Sequence, residues 1–374
     1  MPTTLPPCTG LGLPREAYVS EKVFDAELKR FFYTTWLYAG HESQVREPGQ
    51  FIRFALGDAD VIIIRGRDGV LRGLHNTCRH RGAQLLGDSS GTCRRAIVCS
   101  YHAWSYDFDG KLKGAPKMGS DFDPTVHRLR QAEVEVWNGV VFVHVGGGNP
   151  APVAEQLAGV QFANTDIARS KIAKVVDFEL TTNWKASWEN ALECYHCAVN
   201  HPELGRIFDV DADGEDGQGF PGGPEYIFIE NTLRPGSVSV TPSGQIESKR
   251  PYKCDPEAGI ERGFLQWHRS AFEMIASPDH VALMTYKPLS PSKSIVTQTF
   301  LVPEEAQPGA EFDPDELFDM HIVTRQQDNA LCEQIYAGLR NIAYSPGPFN
   351  GSLEQENFRF LSTYRSVMGD IIAD

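Results

Sequence analysis

Two groups of residues in this sequence have the types and spacing to do chemistry. The first lies in "NTCRHRGAQLLGDSSGTCRRAIVCSYHAWSYD", where Cys78-x-His80 is followed, after eighteen residues, by Cys99-x-x-His102. The second is "WENALECYHCAVNHPE", residues 188–203, which packs a glutamate, two histidines and two cysteines into ten positions. Two Cys and two His suit a tetrahedral zinc ion chemically, but a common finger pairs like with like, Cys with Cys and His with His. Here each pair is mixed. Mixed pairs match a Rieske [2Fe–2S] cluster, in which one iron takes both thiolates and the other both imidazoles, raising the potential relative to an all-cysteine cluster. Cys93 and His75 lie nearby but outside the spacing and read as ordinary residues.

In the second group, Glu193 and His196 are three apart and share a helix face. His196 and His201 would sit about 140° apart on an ideal helix, so they meet at one ion only if the helix is distorted or ends between them. Pro202 favours an ending there. A zinc protease would show His-Glu-x-x-His, and a di-iron bundle two Glu-x-x-His copies; the chain has neither. Two readings remain: a mononuclear iron held by two histidines and a carboxylate, or a catalytic cysteine (Cys194 or Cys197) paired with histidine.

The elements that must position these groups differ along the chain. From about residue 40 to 147, runs such as "QFIRFAL", "DVIIIRG", "VLRGLHN", "RAIVCSY", "WSYDFDGKLKG" and "GVVFVHVGG" predict short strands, with turns at Asp68-Gly69 and Asp109-Gly110. "GGGNPAPVAEQLAG" reads as a linker running into a short helix. Beyond it, residues 183–200 carry helical content, "PEYIFIENTLRPGSVSVTPSG" and "HVALMTYKPLSPSKSIVTQTFLVPE" read as antiparallel strands, and 211–224 as a polar, mobile loop. Leu317, Met320, Val323, Leu331, Ile335 and Leu339 have helical spacing, and Asp313-Pro314 suits the start of that helix. The fold class expected is α+β, in three parts: an N-terminal segment 1–39 packing on the catalytic domain, a β-rich domain 40–155 and a catalytic domain 156–374 with an antiparallel sheet flanked by helices.

The bulk numbers narrow the function. A chain of 374 residues with 41% hydrophobic and 22% charged side chains is ordinary globular composition. A net charge of −14 leaves no basic stripe to neutralise phosphates, which excludes a nucleic-acid partner. No window approaches the roughly 18 apolar residues of a membrane span, and the N-terminus shows no secretory pattern. A cytoplasmic protein with its eight cysteines as ligands or free thiols is expected.

The first cluster, followed by Asn183-Trp184-Lys185, Glu189-Asn190, Glu193, Tyr195-His196 and His201-Pro202, resembles the oxygenase component (alpha subunit) of the Rieske non-haem iron oxygenases over nearly the whole chain. The resemblance implies that Cys78, His80, Cys99 and His102 hold a [2Fe–2S] cluster. It places a mononuclear Fe(II) on His196, His201 and, from "QQDNALCEQIYAGL", Asp328, in preference to Asp319 or Glu333. Glu193 takes the place of a bridging carboxylate linking an iron histidine to the neighbouring subunit's His102, and Asn190 that of a polar residue near the open iron face. It further implies a separate flavin- or ferredoxin-type reductase carrying electrons from NAD(P)H, and a homotrimer. Glutamate at 193, together with "LRPGSVSVTPSG", "DHVALMTYKPLSP" and "AYSPGPFN", resembles the betaine and carnitine monooxygenase (N-demethylase) branch. The function expected is therefore hydroxylation of a C–H bond with O2, most simply N-demethylation of a betaine-like or N-methyl amine. The alternative is a ring-hydroxylating oxygenase acting on an aromatic or carboxylate substrate. Tyr226, Phe228, Trp267, Phe272 and Glu273 are the candidate pocket residues for a cation; Arg234 or Arg269 would serve an acid. Cys194 and Cys197 then read as buried helix positions.

Overall fold

The structure is a computed structural model, and it describes residues 10–160, 162, 166–208, 225–230, 233–253, 263–351 and 353–372. The loop expected over 211–224, like Cys8 and Cys254, lies outside these residues. The chain forms two compact units. One spans Tyr33–Glu155, and the other joins the segment up to Phe32 to everything from Gln156 onward.

The first unit is built from ten short strands: β1 Leu37–His41, β2 Gln50–Leu56, β3 Ala59–Arg65, β4 Leu71–His75, β5 Ser90–Thr92, β6 Ile97–Val98, β7 Ser105–Tyr106, β8 Leu112–Gly114, β9 Gln131–Trp137 and β10 Val140–His144. Seven form an antiparallel sheet in the order β1-β10-β9-β4-β3-β2-β5, and β6-β7-β8 form a second, smaller one. The turns at Asp68-Gly69 and Asp109-Gly110 join β3 to β4 and β7 to β8, with both glycines at positive φ. The run "RAIVCSY" yields only the two-residue β6, because Cys99–His102 leave the strand to make a loop. Ile62, Ile64, Leu74, Ile97, Trp104, Tyr106 and Phe108 fill a core that also contains Cys78 and Cys99.

The second unit has a six-stranded antiparallel sheet, β11-β16-β15-β14-β13-β12. Its strands are β11 Ser170–Leu180, β12 Tyr226–Glu230, β13 Gly263–Trp267, β14 Phe272–Ala276, β15 Val281–Ser290 and β16 Lys293–Pro303. "GSVSV" makes turns and bends instead of the expected strand. The helices used below are α1 Trp184–Ala191, α2 Cys197–Asn200, α3 Asp319–Leu339 and α4 Gln355–Ile372.

The Asn183-Trp184-Lys185 triplet anchors α1. The Asn183 side chain accepts from Lys185 N and donates to the carbonyls of Tyr18 and Pro291, so it caps the helix and ties it to two other segments. The Trp184 indole donates to Glu27 at 2.9 Å, and the Lys185 ammonium is salt-bridged to the same carboxylate, which also accepts from Tyr364 of α4 at 2.6 Å. Lys185 is 0% and Glu27 1% exposed, so this is a fully buried charge pair. It fixes the helix from which the second chemical cluster hangs.

Candidate metal centre

α1 ends at Ala191, and the helix expected through 200 is broken there. His196 sits in the following turn, immediately before the four-residue α2, and His201 caps the other end of α2 with a non-helical backbone ahead of Pro202. His201 leaves the helical path as the C-cap of α2, so the ideal 140° separation does not apply and both rings come to one point, their centroids 5.2 Å apart. Asp328 reaches that point from the middle of α3. Its Oδ1 lies 3.0 Å from His196 Nε2 and 2.9 Å from His201 Nε2. Two ligands about 2.1 Å from one ion and at right angles to each other lie about 3.0 Å apart, so these spacings suit adjacent corners of one coordination sphere.

The remaining imidazole nitrogens are held as metal-bound histidines require. His196 Nδ1 meets Glu193 Oε1 at 2.6 Å, and His201 Nδ1 meets Gln327 Oε1 at 2.7 Å. Gln327 in turn donates to Glu203 at 2.9 Å. Asn190 Nδ2 stands 3.2 Å from both His196 Nε2 and Asp328 Oδ1, on the border of the triad. Burial disfavours charge on His196, but hydrogen bonds to Asp328 and Glu193 outweigh it and push the ring up to about 9. Burial likewise works against the Asp328 carboxylate, yet Arg325 and the two histidines hold it well below the usual carboxylate range. The donor set thus carries a negative oxygen and imidazoles aimed at one spot, and it fits a divalent cation. Of the alternatives, Glu333 is turned away to accept from Thr181 N, and Asp319 opens α3 two turns earlier.

Cys194 and Cys197 differ from expectation. They form a disulfide; Cys194 is exposed in the turn, and only Cys197 is buried. The turn that breaks the helix places their Cα atoms 4.9 Å apart, within disulfide reach. Cys197 Sγ falls within 4.8 Å of the two histidine donors, but a disulfide sulfur is no thiolate, which removes the catalytic-cysteine reading.

In the other unit, two matching loops carry the first cluster. Gly82 N donates to the Cys78 carbonyl and Ala103 N to that of Cys99, while Cys78 N and Cys99 N donate five residues ahead, to Ala83 and Trp104. The residue four beyond each cysteine has positive φ, +73° at Gly82 and +58° at Ala103. Both thiols are buried and free, and Cys78 Sγ lies 3.2 Å from the Tyr106 hydroxyl. His80 and His102 are exposed with ring centroids 4.7 Å apart, and His80 stacks on Trp104 at 4.9 Å. Among the described residues, the donor sets gathered within 4.8 Å of one another include no three of these four. A single tetrahedral ion needs that convergence; a two-iron cluster, with sulfur inward and imidazole outward, does not.

A cavity of about 410 Å³ opens beside His196, His201 and Asp328. Its walls include Phe208, Phe264, Gln266, Glu273, Tyr286, Gln298, His321 and Arg325. Of the expected pocket residues only Glu273 lines it; Tyr226, Phe228, Trp267 and Phe272 do not. The reason is the strand period of two. β14 turns Glu273 and Ile275 to the cavity, which puts Phe272 and Met274 on the opposite face; β13 does the same with Phe264 and Gln266 against Leu265 and Trp267. Gln266 is registered opposite Glu273 and donates to it at 3.0 Å. Burial pushes the Glu273 carboxyl up to about 7, against the opposing influence of Gln266 and Arg325. Arg234 is spent on the Gly205 and Phe208 carbonyls, and Arg269 faces Glu225 and Phe31, so neither arginine lines the cavity.

The comparisons with known proteins agree with both halves of this description. The Rieske [2Fe-2S] domain family matches residues 35–137, and the "Ring hydroxylating alpha subunit (catalytic domain)" family matches residues 167–370. The glycine betaine monooxygenase oxygenase subunit of Chromohalobacter salexigens is 30% identical over 95% of this chain and 85% of its own length. The carnitine monooxygenase oxygenase subunit of Escherichia coli is 31% identical over 53% of this chain and 54% of its own. A crystal structure of the quaternary ammonium Rieske monooxygenase CntA with an inhibitor superimposes with a TM-score of 0.79 at 24% identity, covering 96% of this chain and 95% of that one. Naphthalene 1,2-dioxygenase from Rhodococcus shares the fold at a TM-score of 0.73 and 19% identity, over 95% of this chain and 94% of its own. With a Rieske domain, a catalytic domain and a donor set suited to iron, the chain belongs to the Rieske non-haem iron oxygenases, as a ring-hydroxylating-type alpha subunit.

Proposed function

We propose that the protein hydroxylates the N-methyl group of a cationic, betaine-like or N-methyl amine. The hydroxylated methyl is a hemiaminal, which releases formaldehyde and the demethylated amine. Per turnover, one O2, two electrons and two protons give the hydroxylated substrate and one water. The observation that carries the cationic reading is Glu273, a buried carboxylate in the wall of the cavity beside the triad. Phe208, Phe264 and Tyr286 add aromatic side chains whose faces attract cations. The names of the relatives point the same way.

His196, His201 and Asp328 would hold the mononuclear iron, and Cys78, Cys99, His80 and His102 the [2Fe–2S] cluster. When bound, the cluster supplies electrons one at a time and the iron supplies activation of O2. The chain's own residues do the rest. Glu193 and Gln327 orient the two imidazoles through their Nδ1 atoms. Arg325, 3.8 Å from Asp328 Oδ2, keeps that carboxylate ionised, and it is held in place by Asn190 and Asn329. Glu273 and Gln266 hold the ammonium so that a methyl group faces the triad. Electrons reach the centre from NAD(P)H through a separate flavin- or ferredoxin-type reductase.

A head-to-tail homotrimer would bring one subunit's Glu193 to its neighbour's His102. Exposed apolar side chains flank both residues, Tyr195 and Val199 beside Glu193 and Val98 and Tyr101 beside His102, which supports contact at these places. The test is a panel of betaines, N-methyl amino acids and aromatic acids, scored for substrate-dependent NADH consumption with formaldehyde release in the presence of a reductase. Formaldehyde in step with NADH from N-methyl cations is the expected result. Turnover confined to aromatic acids, without formaldehyde, would overturn the proposal.

A further inference from the structure

One wall of the cavity carries polar atoms with no partner. Gln298 is 1% exposed, and its amide nitrogen donates to the His321 carbonyl at 3.1 Å, which identifies the other amide atom as the oxygen. That oxygen has no hydrogen-bond partner among the described residues, and neither does Thr324 Oγ1. Gln298, His321 and Thr324 all line the cavity, the last two one turn apart on α3.

His321 is the third member, and a buried chain behind it sets its tautomer. Asp279 and His280 are both 0% exposed. The Asp279 carboxylate accepts from Ser239 at 2.6 Å and from Glu247 N at 2.9 Å, and faces His280 Nδ1 at 2.9 Å. His280 Nε2 faces His321 Nε2 at 2.8 Å, where only one hydrogen can sit. With one ring hydrogen, given from Nδ1 to Asp279, His280 offers Nε2 as an acceptor, and in that arrangement His321 donates from Nε2. His321 Nδ1 then carries a lone pair, and His321 lines the cavity.

We infer that His321 Nδ1, Gln298 Oε1 and Thr324 Oγ1 form a specificity subsite for a hydroxyl group on the substrate, with Asp279 and His280 as its positioning residues. Two acceptors beside a hydroxyl that can also donate suit an alcohol, which donates one hydrogen bond and accepts another. They carry no charge to balance an ammonium, which Glu273 serves on another strand. The inference rests on the cavity being the substrate site, and it adds a second recognition element to the cationic one.

Calorimetry on the iron-loaded protein tests it with two pairs of probes, each an alcohol and the ketone of similar size. The neutral pair is cyclohexanol and cyclohexanone; the amine pair is 1-methylpiperidin-4-ol and 1-methylpiperidin-4-one. Each alcohol is expected to bind about tenfold more tightly than its ketone. The ratio should fall toward one in Gln298→Met and in the near-isosteric Thr324→Val. It should also fall in His280→Phe, which does not touch the cavity but releases the His321 tautomer. Discrimination in the neutral pair with no binding of either amine would support the subsite and overturn the cationic reading. Amine binding with alcohol and ketone within twofold of each other would overturn the subsite and leave the cationic reading standing.

Discussion

Glu273→Gln isolates the charge on which the cationic reading depends. Burial raises the Glu273 carboxyl from 4.5 to about 7 in the folded chain. An acid raised in this way is more easily ionised in the unfolded chain, so stability falls as pH climbs from below 4.5 to above 7. At pH 8 a shift of this size lowers the stability of the parent by about 3 kcal/mol, and at pH 5 by about 1 kcal/mol. Glutamine keeps the size and the contact with Gln266 but has no proton to lose. The variant should therefore gain about 2–3 kcal/mol on the parent between pH 5 and pH 8. Urea unfolding of both proteins, each with its metals bound, at the two pH values measures this, because contributions from other groups cancel in the difference. An amine that binds the carboxylate should restore part of the parent's loss at pH 8 and do nothing for the variant. A gap between parent and variant that does not change with pH would refute the reasoning.

Three further perturbations probe the frame around the site. Lys185→Met leaves the Glu27 carboxylate buried without its counter-charge and should lower stability by about 3–5 kcal/mol in urea unfolding; a loss below about 1 kcal/mol would show that the anchor of α1 is not a charge pair in solution. Gln327→Leu removes the acceptor at His201 Nδ1 and should weaken iron binding by about 10- to 100-fold while the visible spectrum of the cluster stays as it was. Tyr106→Phe removes the hydroxyl 3.2 Å from Cys78 Sγ and should lower the cluster potential, by about 40 mV if that bond favours the reduced cluster by about 1 kcal/mol; protein-film voltammetry reads the sign as well as the size.

The short-range signals in the sequence were the legible ones. Mixed Cys/His pairs marked the two loops of the first unit, and Pro202 marked the end of α2 at His201; the break at Ala191, ahead of both histidines, left no such mark. Patterns that depend on what lies opposite were harder. On α3 the apolar residues Val323 and Ile335 suggested an inward stripe, yet Val323 is half-buried and Ile335 is 46% exposed. The buried stripe runs His321, Arg325, Asp328, Cys332, Tyr336 and Leu339, and it keeps helical spacing while its first three members are polar because they face the metal site and the cavity. A hydrophobicity pattern cannot reveal a face whose partners are polar. The same limit misplaced Trp267 and Phe272: once Glu273 is taken as inward, alternation alone turns Phe272 outward. Glu27, which holds Trp184 and Lys185 from more than 150 positions away in sequence, and the Asp279–His280–His321 chain left no local trace, since nothing near them in sequence names their partners.

The central claim is that one chain holds a [2Fe–2S] cluster on Cys78, His80, Cys99 and His102 and a separate iron on His196, His201 and Asp328. Iron analysis, paired with EPR of the dithionite-reduced protein, tests it most directly in the parent and in Asp328→Ala. The account predicts about three iron atoms per chain in the parent, falling to about two in the variant with the Rieske-type signal intact. Stoichiometric zinc in the parent, or loss of the signal together with the third iron, would contradict it.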